Sequence, residues 1–182
     1  MKKIFFIAVP FVLSTSIIKA QAYFTRNGNI SFYSKTSVET IQAENKQVLA
    51  VIDLSKNQLA FNLLIKGFLF EKQLMQDHFN EEVMESDKFP KASFTGKIVN
   101  NNVLNAGKHH VHISGQLTMH GITKPIDVDA DIEVLPNEFK ALATFKVAYG
   151  DYDIKIPNIL KNNISKTIAV SVNVDCKPMA NK

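Results

Sequence analysis

From about Gly28 onward, apolar side chains recur at every second position over most of the chain, the period of strands that bury one face. Ile30 and Phe32 alternate with Asn29, Ser31 and Tyr33. Val38 and Ile41 to Ala43 follow, and Val48, Ala50 and Ile52 lead to Asp53. A Ser55-Lys56-Asn57 turn hands over to Leu59, Phe61, Leu63 and Ile65, and the run stops at Gly67. Between Phe70 and about Met84 the period changes. Phe70, Leu74, Met75, His78, Phe79 and Val83 share one helical face, while Glu71, Gln73, Gln76, Asp77, Glu81 and Glu82 take most other positions. This spacing predicts one amphipathic helix with a candidate break near Asn80, stopped by Phe89-Pro90.

Strand signals resume with Ala92, Phe94 and Ile98 and, after an Asn100-Asn101-Asn102 turn, with Val111, Ile113, Leu117 and Met119. Ile126, Val128, Ala130, Ile132 and Val134 then alternate with Asp127, Asp129, Asp131 and Glu133, a plain statement of one-face burial. Pro136-Asn137 turns the chain into Ala141, Ala143, Phe145 and Val147, and a last strand shows Ile168, Val170, Val172 and Val174. The sum is an all-β chain of eight or nine antiparallel strands, according to whether the first two segments form one bent strand. A sheet of that size closes or splits into a sandwich. Closure near eight strands leaves an interior that side chains fill or that holds one small ligand, and period two alone does not choose between them.

The N-terminus follows another pattern. Lys2 and Lys3 precede an apolar run from Ile4 to Leu13, then Ser14, Thr15 and Ser16, then Ala20-Gln21-Ala22. That is the layout of a secretory signal, and cleavage is expected after Ala22, leaving a single domain over residues 23–182. The uncharged stretch is too short for the ~20 residues of a membrane span, and Pro10 interrupts it. Removing Lys2, Lys3 and Lys19 leaves 18 basic residues against 17 acidic ones, so no basic footprint for nucleic acid remains. The only cysteine, Cys176, permits no intrachain disulfide and reads as a packing residue at a strand end. The mature chain is expected in an exported compartment, periplasm or medium, with no integral span after cleavage. Its oligomeric state, homodimer included, is left open.

Three stretches carry a resemblance. Gly115-Gln116-Leu117-Thr118-Met119-His120-Gly121-Ile122-Thr123-Lys124-Pro125 is similar to the G-x-L-T-[LM]-[HN]-G-[VI]-T-K-P hairpin of the YceI-like lipid- and polyisoprenoid-binding family. Leu74 to Phe79 followed by Glu85 to Phe94 resembles that family's helix and exit. Asp151-Tyr152-Asp153-Ile154 resembles its D-[FY]-G-[IM], with Asp153 where Gly is frequent. The resemblance spans about Ile30 to Val174. It implies a closed, lipocalin-like antiparallel barrel of about eight strands with one inserted amphipathic helix, enclosing an apolar tunnel for a long isoprenoid or similar lipid in exported bacterial proteins.

The candidates to line such a tunnel are the same-parity residues Phe61, Leu63, Ile65, Val111, Ile113, Leu117, Ile126, Val128 and Phe145, which serve equally as a dry core if the barrel is filled. His78 on the helix face, and His120 and Lys124 in the hairpin, are candidate contacts for a polar head; their plainer reading is structural. His109, His110, His112 and His120 crowd twelve residues. His110 and His112, however, oppose the Val111 face, and no Cys or carboxylate stands at zinc-ligand spacing nearby, so no metal is expected. Asp127, Asp129, Asp131 and Glu133 read as a solvated strand face. Asn29-Ile30-Ser31 and Asn163-Ile164-Ser165 fit the glycosylation acceptor pattern.

Nucleophile elbows, zinc-protease helices and phosphate-cradling glycine loops are missing, so no catalytic residue is assigned. The expected function is that of a non-enzymatic exported protein that binds a hydrophobic small molecule. It would hold a polyisoprenoid, an isoprenoid quinone or a fatty acyl chain for carriage or sequestration, with no cofactor besides that lipid. The alternative is a stress-related interaction module with a filled barrel and no lipid.

Overall fold

The computed structural model describes residues 22–37, 39–99 and 105–179. The signal-like stretch through residue 21, Val38 and the Asn100-Asn101-Asn102 turn lie outside the described residues. Among the described residues nine strands occur in chain order: β1 (Ala22–Lys35), β2 (Thr40–Asp53), β3 (Gln58–Leu64), β4 (Leu69–Phe70), β5 (Lys91–Ile98), β6 (Gly107–Met119), β7 (Ile122–Leu135), β8 (Glu138–Ala148) and β9 (Thr167–Pro178). Among the described residues one α-helix, α1 (Gln73–His78), follows β4.

All strand pairs are antiparallel, and they run β1-β9-β8-β7-β6-β5-β3-β2 before β2 pairs with β1 again, so eight strands close a barrel. The two-residue β4 adds itself to β2 through Ala43↔Phe70 and Glu44↔Leu69. Closure leaves no long edge exposed. The segments read separately around Ile41 and Val48 form one strand, β2, whereas the segment around Ile30 is a strand of its own. β1 also starts earlier than the alternation shows. Its register slips between Thr25 and Gly28 and again before Ile30, and these bulges break the two-residue period that would have marked it.

Register fixes which side chains meet inside. On β7, Val128, Ala130, Ile132 and Val134 are buried, while Asp127, Asp129 and Asp131 are exposed. Two gaps in the apolar alternation, Gly96 between Phe94 and Ile98 and Gly115 between Ile113 and Leu117, are register partners across β5 and β6. The ring of Phe94 lies over both, and a Cβ on Gly96 would stand 2.7 Å from its Cζ. The missing side chains are thus replaced by one aromatic ring from a third position.

The helix is shorter than the sequence pattern suggests. After His78 the chain widens into a π-type turn over Phe79–Val83, with Met84 N–H donating to Phe79 O at 2.8 Å. The Asn80 side chain bonds the Gln76 carbonyl at 2.9 Å, inserting into the ladder where the regular helix would continue.

The two ends of the barrel differ. At one, Tyr23, Val111, Ile132, Val134, Phe139, Val174 and Cys176 pack into a closed core, with the Tyr23 and Phe139 rings 5.7 Å apart. Ala22 and Met179 meet at this end, Met179 N–H donating to Ala22 O at 2.7 Å. The longer connections, residues 65–90 and 149–166, gather at the other end. Cys176 is fully buried in the closed core, and desolvation, with Asp175 adding to it, pushes its thiol up to about 12. A group raised in this way contributes stability that is whole below the ordinary thiol range and lost as pH climbs toward the folded value. At pH 8 the thiolate fraction falls roughly a thousandfold below that of a free cysteine. A disulfide reagent such as dithiobisnitrobenzoate should therefore leave the native protein unlabelled and react stoichiometrically once denaturant is added; rapid labelling of native protein would mean that this end opens.

Candidate functional site

Between the closed core and the longer connections the barrel is hollow. The cavity measures about 300 Å³ and reaches from Ile132 and Phe139, near the closed end, to Leu160 and Ile164 in the last long connection. That volume is at the lower limit of ordinary small-ligand sites, ~300–1,000 Å³. The lining on β8 alone runs from Phe139 through Ala141, Ala143, Phe145 and Val147 to Tyr149 just beyond it. Ten residues of strand at ~3.4 Å each, tilted as in a barrel, give a tunnel of roughly 25 Å. Its shape suits an extended chain better than a compact ring.

Eight of the nine residues expected on the inner face line this space: Phe61, Leu63, Ile65, Ile113, Leu117, Ile126, Val128 and Phe145. Val111 has the right parity but sits at the closed end, fully buried among the core residues, where the interior is filled. Distance along the strand, which parity does not measure, separates it from the tunnel.

Around the helix the wall is aromatic. Phe32, Phe68, Phe70 and Phe79 form one cluster, with centroids 5.2 Å apart for Phe32–Phe68, 5.5 Å for Phe32–Phe79 and 5.0 Å for Phe70–Phe79. All four line the cavity. The helical periodicity identifies Phe70 and Phe79 as buried without saying against what, and Phe68 stands outside any regular pattern. The 149–166 connection also contributes Ile154, Ile156, Leu160 and Ile164, of which no tunnel role was read from the sequence.

The candidate head contacts separate. His78 lines the cavity, with its Nδ1 2.9 Å from Glu82 Oε1. Lys124 is exposed on β7, and neither it nor His120 belongs to the cavity wall. His120 is instead the hub of the three stretches that carried the family resemblance. It and Gly121 have φ of +51° and +77° between the paired residues Met119 and Ile122, the conformation of a tight type I′ hairpin. The His120 ring lies 4.2 Å from the Phe89 ring, its Nδ1–H donates to Tyr152 O at 3.1 Å, and its Nε2 lies 3.1 Å from Glu85 Oε2. A side chain at Gly121 would collide with Phe89, 2.9 Å away. Asp153, with φ of +51°, shows why Gly suits that position. These motif residues therefore pin the 84–89 segment and the 149–154 turn to the hairpin, beside the tunnel.

The outer face carries His110 and His112. His110 Nδ1 lies 2.8 Å from Asp131 Oδ1, and His112 Nδ1 lies 2.8 Å from Asp129 Oδ1, two cross-strand pairs in solvent. Asp131 raises the proton affinity of His110 above the imidazole norm, and His112 lowers that of Asp129. Among the described residues no group of three or more His, Cys, Asp or Glu is placed to hold a metal ion. Asn29 and Asn163, in the two glycosylation patterns, donate their amides to Glu44 and Glu39. Among the described residues no helix is long and apolar enough to cross a membrane.

A search of curated proteins finds no significant match. Among solved structures, a polyisoprenoid-binding domain from Saccharophagus degradans, implicated in plant cell wall breakdown, superposes with a TM-score of 0.75 at 14% identity, covering 88% of this chain and 99% of that one. BcnA of Burkholderia cenocepacia gives 0.69 at 12% identity, covering 81% and 95%. The YCEI protein of Campylobacter jejuni gives 0.57 at 16% identity, covering 100% of each. These likenesses establish the shared barrel. The YceI-like domain family matches residues 15–176, and with that match over most of its length the chain belongs to the YceI-like family.

Proposed function

We propose that this protein binds one long apolar lipid inside its barrel, a polyisoprenoid, an isoprenoid quinone or a fatty acyl chain, and carries or sequesters it without chemical change. The observation that supports this reading is the tunnel itself, a hollow of about 300 Å³ walled by aliphatic and aromatic side chains. Each methylene it covers contributes ~0.8 kcal/mol, so ten of them offer ~8 kcal/mol before ordering and association costs. Micromolar affinity needs little beyond an open tunnel. The polyisoprenoid-binding domain of similar fold points in the same direction. A filled interaction module has no use for such a space.

Export belongs to the same proposal and rests on the Lys2-Lys3 start, the apolar run to Leu13 and Ala20-Gln21-Ala22. Native mass spectrometry of protein purified gently from its own cell envelope, followed by solvent extraction, tests both parts. The expected result is a mature mass beginning at Tyr23 with a stoichiometric isoprenoid or acyl species. A clean apo mass together with failure to take up added quinones and prenols would end the lipid-binding reading.

A further inference from the structure

The polar groups of the tunnel wall have a definite sign. Glu39 and His78 line it, Tyr149 is the other ionisable side chain there, and no Lys or Arg belongs to the wall among the described residues. The Glu39 side chain is 26% exposed, so the cavity meets solvent beside it. Its Oε2 accepts from Asn163 Nδ2 at 3.1 Å, and its Oε1 lies 3.6 Å from Lys72 Nζ. Lys72 immediately precedes α1, which ends at His78, six helical residues or about 9 Å of rise further on.

His78 Nδ1 faces the Glu82 carboxylate at 2.9 Å. A carboxylate only accepts, so Nδ1 carries the hydrogen, and when the ring is neutral Nε2 is an acceptor. The nearby cationic side chain, Lys72, is already held by a carboxylate. This part of the wall therefore offers a ligand lone pairs and negative charge rather than an unpaired cation.

We propose that Glu39 and His78 make this tunnel select a lipid with an uncharged, hydrogen-bond-donating hydroxyl head over the same chain ending in carboxylate or phosphate, with Glu39 as the specificity-determining residue. The proposal rests on the lipid-binding reading above. A hydroxyl, from an alcohol or a hydroquinone, donates to the Glu39 carboxylate or to His78 Nε2. An anionic head placed there meets the like charges of Glu39 and Glu82, and the Lys72 ammonium beside Glu39 is already paired.

The test holds the tail constant. Geranylgeraniol, geranylgeranoic acid and geranylgeranyl phosphate, each below its aggregation concentration, compete for the neutral fluorescent probe N-phenyl-1-naphthylamine on the intact mature protein. The alcohol is expected to bind about tenfold or more tighter than either anion. Glu39→Gln, which keeps an acceptor oxygen for Asn163, should shrink that gap to about threefold or less, chiefly by strengthening the anions. A phosphate or carboxylate that binds wild-type protein as tightly as the alcohol overturns the head assignment while leaving the lipid-binding reading intact. A gap that Glu39→Gln does not change overturns the role of Glu39. Failure of all three compounds and of the probe to bind overturns the lipid-binding reading and this proposal with it.

Discussion

A single methyl group at Gly115 should lower the stability of this barrel by about 3 kcal/mol, because overpacking a site that cannot relax lies at the upper end of the usual range. A Cβ there would overlap the ring edge of Phe94 and stand 2.5 Å from the Thr95 carbonyl oxygen. Phe94 could rotate, but the Thr95 carbonyl is backbone in the neighbouring strand, fixed by the Thr95↔Gln116 and Gly96↔Gly115 register. Chemical denaturation of Gly115→Ala should show the loss as a lower midpoint with an unchanged slope. Shortening the ring with Phe94→Leu in the same chain should restore only part of it, since the carbonyl clash remains, and the two changes should be non-additive. A Gly115→Ala protein as stable as the wild type would mean that β5 and β6 separate more readily than their register implies.

The second large effect concerns binding. Leu117, half-buried on β6, faces the tunnel in the same stretch as Ile113 and Phe94. Leu117→Trp puts an indole into space that is hollow, so the fold should keep its stability within about 1.5 kcal/mol while the tunnel is obstructed. Affinity for a prenol should drop by more than about tenfold, the equivalent of losing two or so buried methylenes. The sequence has no other Trp, so the new side chain reports on itself. Its emission should be blue-shifted and insensitive to added lipid. Undiminished lipid binding with a buried indole would show that the chain does not pass Leu117.

Much of this was legible before any coordinates. The alternation Ile126-Val128-Ala130-Ile132-Val134 against four carboxylates fixes the orientation of β7 from charge and hydropathy alone, because a one-residue slip would bury the acids. Parity likewise put eight of its nine candidates on the tunnel wall. It failed at Val111, where the question is depth along the barrel rather than face. It also missed Phe32 and Phe68 as neighbours, because β1 and the 65–68 connection are far apart in sequence and meet only through closure. Glu39 and Asn163 were invisible as a pair for the same reason: 124 residues separate them, and their hydrogen bond exists only once both connections reach the same end. The hairpin motif left two readings open, and for His120 the contacts agree with the plainer, structural one. His120 and Lys124 look like recognition chemistry, yet His120 is spent on Tyr152, Glu85 and Phe89, holding a turn whose backbone needs positive φ.

The seam between β1 and β9 has a kinetic consequence. Phe32 pairs with Val170 and Tyr33 with Ala169, so the barrel closes by joining strands from opposite ends of the sequence. No partial chain emerging in order can complete that ring, and the entropy of bringing such distant segments together is lost before their contacts form. Folding should be slow for a protein of this size, in the millisecond-to-second range typical of non-local β topologies. A chain that stays open until its last strand arrives exposes the edges of β1 and β8 meanwhile, and it is also one that a translocation channel could still thread as an unfolded polymer.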